Sequence, residues 1–142
     1  MSERNKHLIR RAIEEVYNQG NLDLIDELVA PDYVAHAPSG DVVGLEGVRQ
    51  YVSDLRTAFP DLRMVIQDQF AEGDRVVTRW TASGTHLGPY QGLPPTGKSG
   101  TIGGIDIDRV VEGKVLECST NTDDLGLLQQ LGVVPVPDWV RR

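Results

Sequence analysis

The feature that most constrains this chain is its last third, Gly103 to Gly132. Two β-prone runs flank a tight Glu112-Gly113 turn, and a short helical stretch, Asp124 to Leu131, follows. Such a hairpin buries one face only if other elements cover it. Asp123 stands where the second strand gives way to the helix. A carboxylate at the rim of a curved sheet can lose its water, and a desolvated carboxylate can act as a base near neutral pH.

The rest of the chain supplies the cover. Ser2 to Gly20 reads as a helix, with Leu8 or Ile9, Ala12, Ile13, Val16 and Tyr17 at helical spacing, Ser2 as cap and Gly20 as stop. Leu22 to Val29 gives a second short helix, closed by Ala30-Pro31. Tyr33 to His36 is a short extended piece, and Pro38 to Gly40 is a loop. Gly44 to Phe59 is a third helix whose buried stripe is Leu45, Val48, Val52, Leu55 and Phe59. Strands follow at Leu62 to Phe70 and Arg75 to Thr85, joined by a Glu72-Gly-Asp74 turn. The glycine- and proline-rich stretch from His86 to Ser99 is a loop. Thr101 to Val111 and Lys114 to Thr122 make the final hairpin, and Pro135 and Pro137 leave the tail irregular. Helices first and mostly antiparallel strands after them make an α+β pattern, with three N-terminal helices on one face of a bent sheet. Bent sheets packed on helices tend to enclose a pocket, where small ligands bind.

The 142 residues fit one domain spanning 1–142, with a core over about 5–133 and the irregular tail over 134–142. A net charge of −7 argues against nucleic acid, which needs clustered Lys and Arg. The single cysteine, Cys118, forms no disulfide within the chain, so a cytoplasmic location is the default expectation. The polar N-terminus lacks the apolar stretch of a signal peptide, and no run approaches the roughly 20 apolar residues that span a bilayer.

Several segments carry a family likeness. They are Leu28-Val-Ala-Pro-Asp-Tyr-Val-Ala-His36, Gly44-Leu-Glu-Gly47, Ala58-Phe-Pro-Asp-Leu62, Glu72-Gly-Asp-Arg-Val-Val77, Gly84-Thr-His-Leu-Gly88, Gly92 to Lys98, Glu112-Gly-Lys-Val115 and Asp123 to Gly132. In this order the chain resembles the SnoaL-like polyketide cyclase family, within the nuclear-transport-factor-2-like cone fold. The resemblance implies a cone-shaped, curved, mostly antiparallel sheet with an open mouth and a deep apolar cavity. Characterised members close a ring of an anthracycline precursor by an intramolecular aldol reaction without metal or organic cofactor. In them an aspartate removes a proton, and polar neighbours hold the enolate. Relatives of the same fold isomerise, hydrolyse epoxides, dehydrate or only bind, so fold alone does not fix the chemistry. The chain departs from the family at Ser119, where members usually carry Trp. On this reading a large aromatic wall becomes a small polar one.

Asp123 is the first candidate for catalysis. Against apolar cavity walls its pKa rises; as an ordinary N-cap bonded to backbone N–H groups its pKa falls. The family likeness tips the reading toward catalysis, with Asp124 as an exposed first-turn charge. His36 would hydrogen-bond a substrate carbonyl or share a proton with Asp123, or else bond only to backbone. Asn121 and Ser119 alternate with Asp123 and can share its face, donating to a developing enolate. Asp106 and Asp108 alternate with Ile105 and Ile107. If the isoleucines face the core both aspartates are solvated, the arrangement apolarity favours; the opposite register makes Asp106 a second pocket acid. Arg109 lies on the isoleucine side and can pair with a cavity carboxylate. Tyr33 and Trp80 are core or cavity wall, Tyr51 can reach the mouth, and His86 lines the mouth or fastens the adjoining loop. Three scattered histidines make a poor metal site.

These residues point to a cofactor-independent cyclase or isomerase acting on an apolar, carbonyl-bearing small molecule, with Asp123 as acid and base. The alternatives are a non-catalytic small-molecule binder and an epoxide-hydrolase-like hydrating enzyme. The family likeness also implies a homodimer formed through the open sheet face. No membrane or nucleic-acid partner is expected.

Overall fold

The final hairpin is present as read: β5 (Ser99–Val111) and β6 (Lys114–Thr122) pair antiparallel around Glu112 and Gly113. Both turn residues have positive φ, 51° and 78°, the twist a two-residue hairpin turn needs. The computed structural model describes residues 2–139; Met1 and the last three residues of the expected tail lie outside that range.

Six strands form one sheet in the order β2-β1-β6-β5-β4-β3. The others are β1 (Val29–Ala37), β2 (Gly40–Val43), β3 (Arg63–Glu72) and β4 (Arg75–Thr85). Every pair is antiparallel except β1 with β6. A bulge between Ile66 and Asp68 bends β3, and further irregularities in β1 and at Arg109 add curvature. The sheet is curved and does not close. With α1 (Ser2–Arg11), α2 (Ile25–Leu28), α3 (Gly44–Ala58) and α4 (Asp124–Gln130), the architecture is α+β.

The N-terminal segments and α3 cover the concave face. Ile9 and Ile13 join Phe59, Met64, Val76 and Leu127 in one apolar cluster. Val16, Ile25, Leu28, Val48 and Val52 form a second. Ile25 and Val52 are fully buried, each contributing about 1.5–3 kcal/mol by its burial.

Three local features differ from the sequence reading. The first helix does not run evenly to Gly20: Ala12–Asn18 widens into a π-helix. Its end is held by Arg56, whose Nη1 donates to the carbonyls of Tyr17 and Asn18, both at 2.8 Å. Asn18 then pairs with the Met64 backbone through two bonds of 2.9 and 2.7 Å, tying the helix to β3. The second helix is shorter, a 3₁₀ turn at Leu22–Leu24 running into α2. The short extended piece is a nine-residue strand, and the expected loop after it turns into β2. Among the described residues no helix is long and apolar enough to cross a membrane.

Candidate active site

Helices, sheet and the loop from His86 to Lys98 enclose a cavity of about 570 Å³. That volume suits a small organic molecule. The wall is largely aliphatic, and six aromatic side chains stand in it: Tyr17, Tyr33, Tyr51, Phe59, Trp80 and Tyr90. Tyr51, on α3, is 41% exposed and stands at the opening. Five aspartates reach the wall: Asp41 and Asp54 are exposed, and Asp106, Asp108 and Asp124 are buried or half-buried.

The strand register decides which carboxylates face inward. Across β4, β5 and β6, Trp80 opposes Gly104, Asp106 opposes Thr120, and Asp108 opposes Cys118. These residues share the concave face with Val110, while Ile105 and Ile107 are exposed on the other. This corrects the expectation that the isoleucines pack inward and leave the aspartates in water. Gly104 explains the choice. A Cβ there would overlap the Trp80 ring, with Cε2 only 2.8 Å away, so the strand must present its glycine to the buried indole. Alternation then carries both aspartates inward.

Asp108 is 6% exposed. Burial pushes its carboxyl up to about 8; neighbouring Asp106 adds to the rise, and the Cys118 thiol works against it. Asp106 is also raised by burial, with Thr120 and Trp80 favouring its charged form. The Thr120 hydroxyl donates to Asp106 Oδ1. The two carboxyls are therefore unequal. Asp106 keeps hydrogen-bonding help for its charge, and Asp108 holds a proton near neutral pH. Burial and the two aspartates also push the Cys118 thiol up. Asp106, Asp108 and Cys118 bring potential ligand atoms within 4.8 Å of one another. In this setting the thiol keeps its proton, beside the two carboxyls on the cavity wall.

Tyr33 and Trp80, read as core or cavity wall, and Tyr51, read as reaching the mouth, line the cavity. Other candidates stand elsewhere. Asp123 is exposed and caps α4, its Oδ1 accepting from the Gly126 backbone N–H at 3.0 Å. This corrects its expected place in a dry hollow. The adjacent Asp124, expected in solvent, is half-buried on the cavity wall and accepts from the Thr122 hydroxyl at 2.8 Å. Asn121 and Ser119 are exposed on the convex face, beside Ile105 and Ile107. Ser119 therefore alters that outer face and not the cavity wall. His36 is exposed too, bridging Asp41 at 3.3 Å and Glu117 at 3.1 Å, and those carboxylates raise its pKa. Arg109 points outward and bonds Asp74 at 3.0 Å instead of a cavity acid.

His86 is fully buried but lies off the cavity wall. Its Nδ1 accepts from the Thr96 backbone N–H at 3.1 Å, and its ring packs on Phe59 with centroids 5.5 Å apart. It fastens the loop, which the Ala58 carbonyl also holds through Leu87 and Gly88. From sequence, Asp108 and Asp124 read as solvated charges, and Cys118 and Thr120 have no place at the site. The parity of Gly104 and Val110 with the aspartates was the available signal.

The family model described as SnoaL-like polyketide cyclase matches residues 7–131. The chain belongs to the SnoaL-like polyketide cyclase family. It is 30% identical to the nogalonic acid methyl ester cyclase of Streptomyces nogalater over 125 residues, 86% of this chain and 92% of that one. It is also 30% identical to the aklanonic acid methyl ester cyclase DnrD of Streptomyces peucetius over 141 residues, 94% of this chain and 95% of that one. Among solved structures, TsrD from Streptomyces laurentii superposes with a TM-score of 0.85 at 31% identity, covering 93% of this chain and 97% of TsrD.

Proposed function

We propose that this member is a cofactor-independent cyclase that closes a ring within a small, largely apolar polyketide-like molecule bearing two carbonyls. Asp106 is the base. Its carboxylate takes a proton from the carbon beside one carbonyl, and the C–H electron pair moves into an enolate. The enolate carbon attacks the second carbonyl carbon of the same molecule, forming the C–C bond. The alkoxide left on that second oxygen takes a proton back from Asp106, so no electrons are gained or lost overall. Asp108, protonated beside Asp106, keeps the pair from carrying two charges.

The observation that carries this reading is the Asp106–Asp108 pair facing a largely apolar cavity of about 570 Å³. The cyclase relatives support the reaction class. Exchange of the α-protons of 1-indanone into D₂O, followed by proton NMR, tests it without knowing the natural substrate. Wild type and Asp123→Ala should accelerate exchange, and Asp106→Asn should lose about 10²–10⁴-fold of that acceleration. Equal rates for Asp106→Asn and wild type would remove Asp106 from the mechanism. Binding of 1-indanone without exchange would favour the non-catalytic binder.

We also propose that two copies pair through the convex sheet face. Phe70, Val77 and Ile107 align across β3, β4 and β5, and Phe70 and Ile107 are exposed there with Ile105 and Val65. An apolar face of this kind on a sheet marks an interaction surface.

A further inference from the structure

We propose that the Trp80 indole N–H holds the substrate's carbonyl oxygen while Asp106 works on the neighbouring carbon. The inference rests on the function proposed above and adds the group that stabilises the enolate.

Trp80 is 8% exposed and lies on the cavity wall. Its Nε1 is buried and makes no hydrogen bond of good geometry, although it stands close enough to Asp106 to favour that carboxylate's charge. A buried donor left unpaired costs free energy, so such groups are rare unless something else satisfies them. Two other buried side-chain atoms share this condition among the described residues, Gln69 Oε1 and His86 Nε2, and neither residue lines the cavity. Trp80 is thus the one of the three whose ring lines the cavity.

The indole is also fixed in place. It packs on Gly104 directly across the strand pair, where any side chain would collide with it. Asp106 follows Gly104 by two residues on the same face. The indole is near enough to favour the charged form of Asp106, although it makes no bond of good geometry to that carboxylate. Thr120 already occupies Asp106 Oδ1. The wall therefore presents a rigid donor beside an acceptor that has room for one more proton.

That pair is complementary to an enolisable carbonyl. The carbonyl oxygen accepts from Nε1–H as the α-proton passes to Asp106. As negative charge grows on the oxygen the hydrogen bond strengthens, which is the requirement for lowering a barrier rather than only binding. Gly104 and the surrounding apolar cluster hold the ring beside Asp106.

Replacing Trp80 with 3-benzothienylalanine tests this directly. Sulfur takes the place of N–H and the ring keeps its shape, so the cavity and fold stay as they are. Dissociation constants would be measured by calorimetry for 1-indanone and for indane, which has the same rings and no oxygen. The expected result is roughly tenfold weaker 1-indanone binding in the variant, with indane unchanged. Unchanged 1-indanone affinity, or an equal loss for both probes, overturns the role of the N–H while leaving the cavity reading intact. Failure of both probes to bind wild type overturns that reading and this inference together.

Discussion

At the residue scale, the two adjacent aspartates at the start of α4 have exchanged their expected roles. Asp123 spends its carboxylate on the Gly126 N–H, an ordinary capping bond, and Asp124 faces the cavity. Asp123→Ala should therefore cost about 1 kcal/mol of stability in a urea titration while leaving 1-indanone exchange at the wild-type rate. A drop in exchange comparable to that of Asp106→Asn would restore Asp123 to the mechanism. The cap was legible in the sequence, because Asp before a short helical run is a capping signal in its own right. What misled was extending the alternation of β6 past its end. Ser119 and Asn121 do share a face, but it is the convex one. Parity within a strand tells which side chains go together and not which way they point.

At the element scale, direction is settled by close packing between neighbouring strands. Both β4 and β6 were read with their observed bounds, since Val, Thr and Trp favour extension and Gly, Asp and Glu mark the turns. The inward face of β5 was not legible from its own residues, where Ile and Asp alternate evenly. It becomes legible through the pairing of Trp80 with Gly104, which exists only once register is known. Gly104→Ala should thus push the indole off its seat, costing about 1–3 kcal/mol by overpacking and shifting Trp80 fluorescence. Unchanged stability and emission would mean that the indole is not held there. The π-helix and the parallel β1–β6 pair were also illegible, since both depend on contacts distant in sequence. Arg56 and Asn18 secure the first, and Val34 to His36 beside Glu117 to Ser119 make part of the second.

At the scale of the whole molecule, the cavity is a feature that folding must tolerate. An aspartate in the unfolded chain loses its proton near 3.8, whereas folded Asp108 keeps it to about 8. Between those values the native state binds more protons than the unfolded chain, so stability falls as pH rises from about 4 to 8, and the loss is complete above 8. Asp108→Asn should remove that loss. Its Tm should exceed wild type by about 5 °C or more at pH 9, with the gap closing toward pH 4. A constant gap across that range would place Asp108 in a wetter setting. Pairing through the convex face belongs to the same scale: light scattering on the eluted protein should give about twice the 15.6 kDa chain mass, and Ile107→Lys should return it to monomer. Wild type eluting at chain mass would contradict the paired assembly. The proposed function depends on a carboxyl pair kept from water inside the cone, and carbon-13 NMR of the aspartate carboxyls as a function of pH tests that most directly. Two resonances, assigned by Asp106→Asn and Asp108→Asn, should titrate above the ordinary carboxylate range, Asp108 the higher at about 8. If both titrate near 3.9, as they would in open water, the cavity holds no base of the kind proposed.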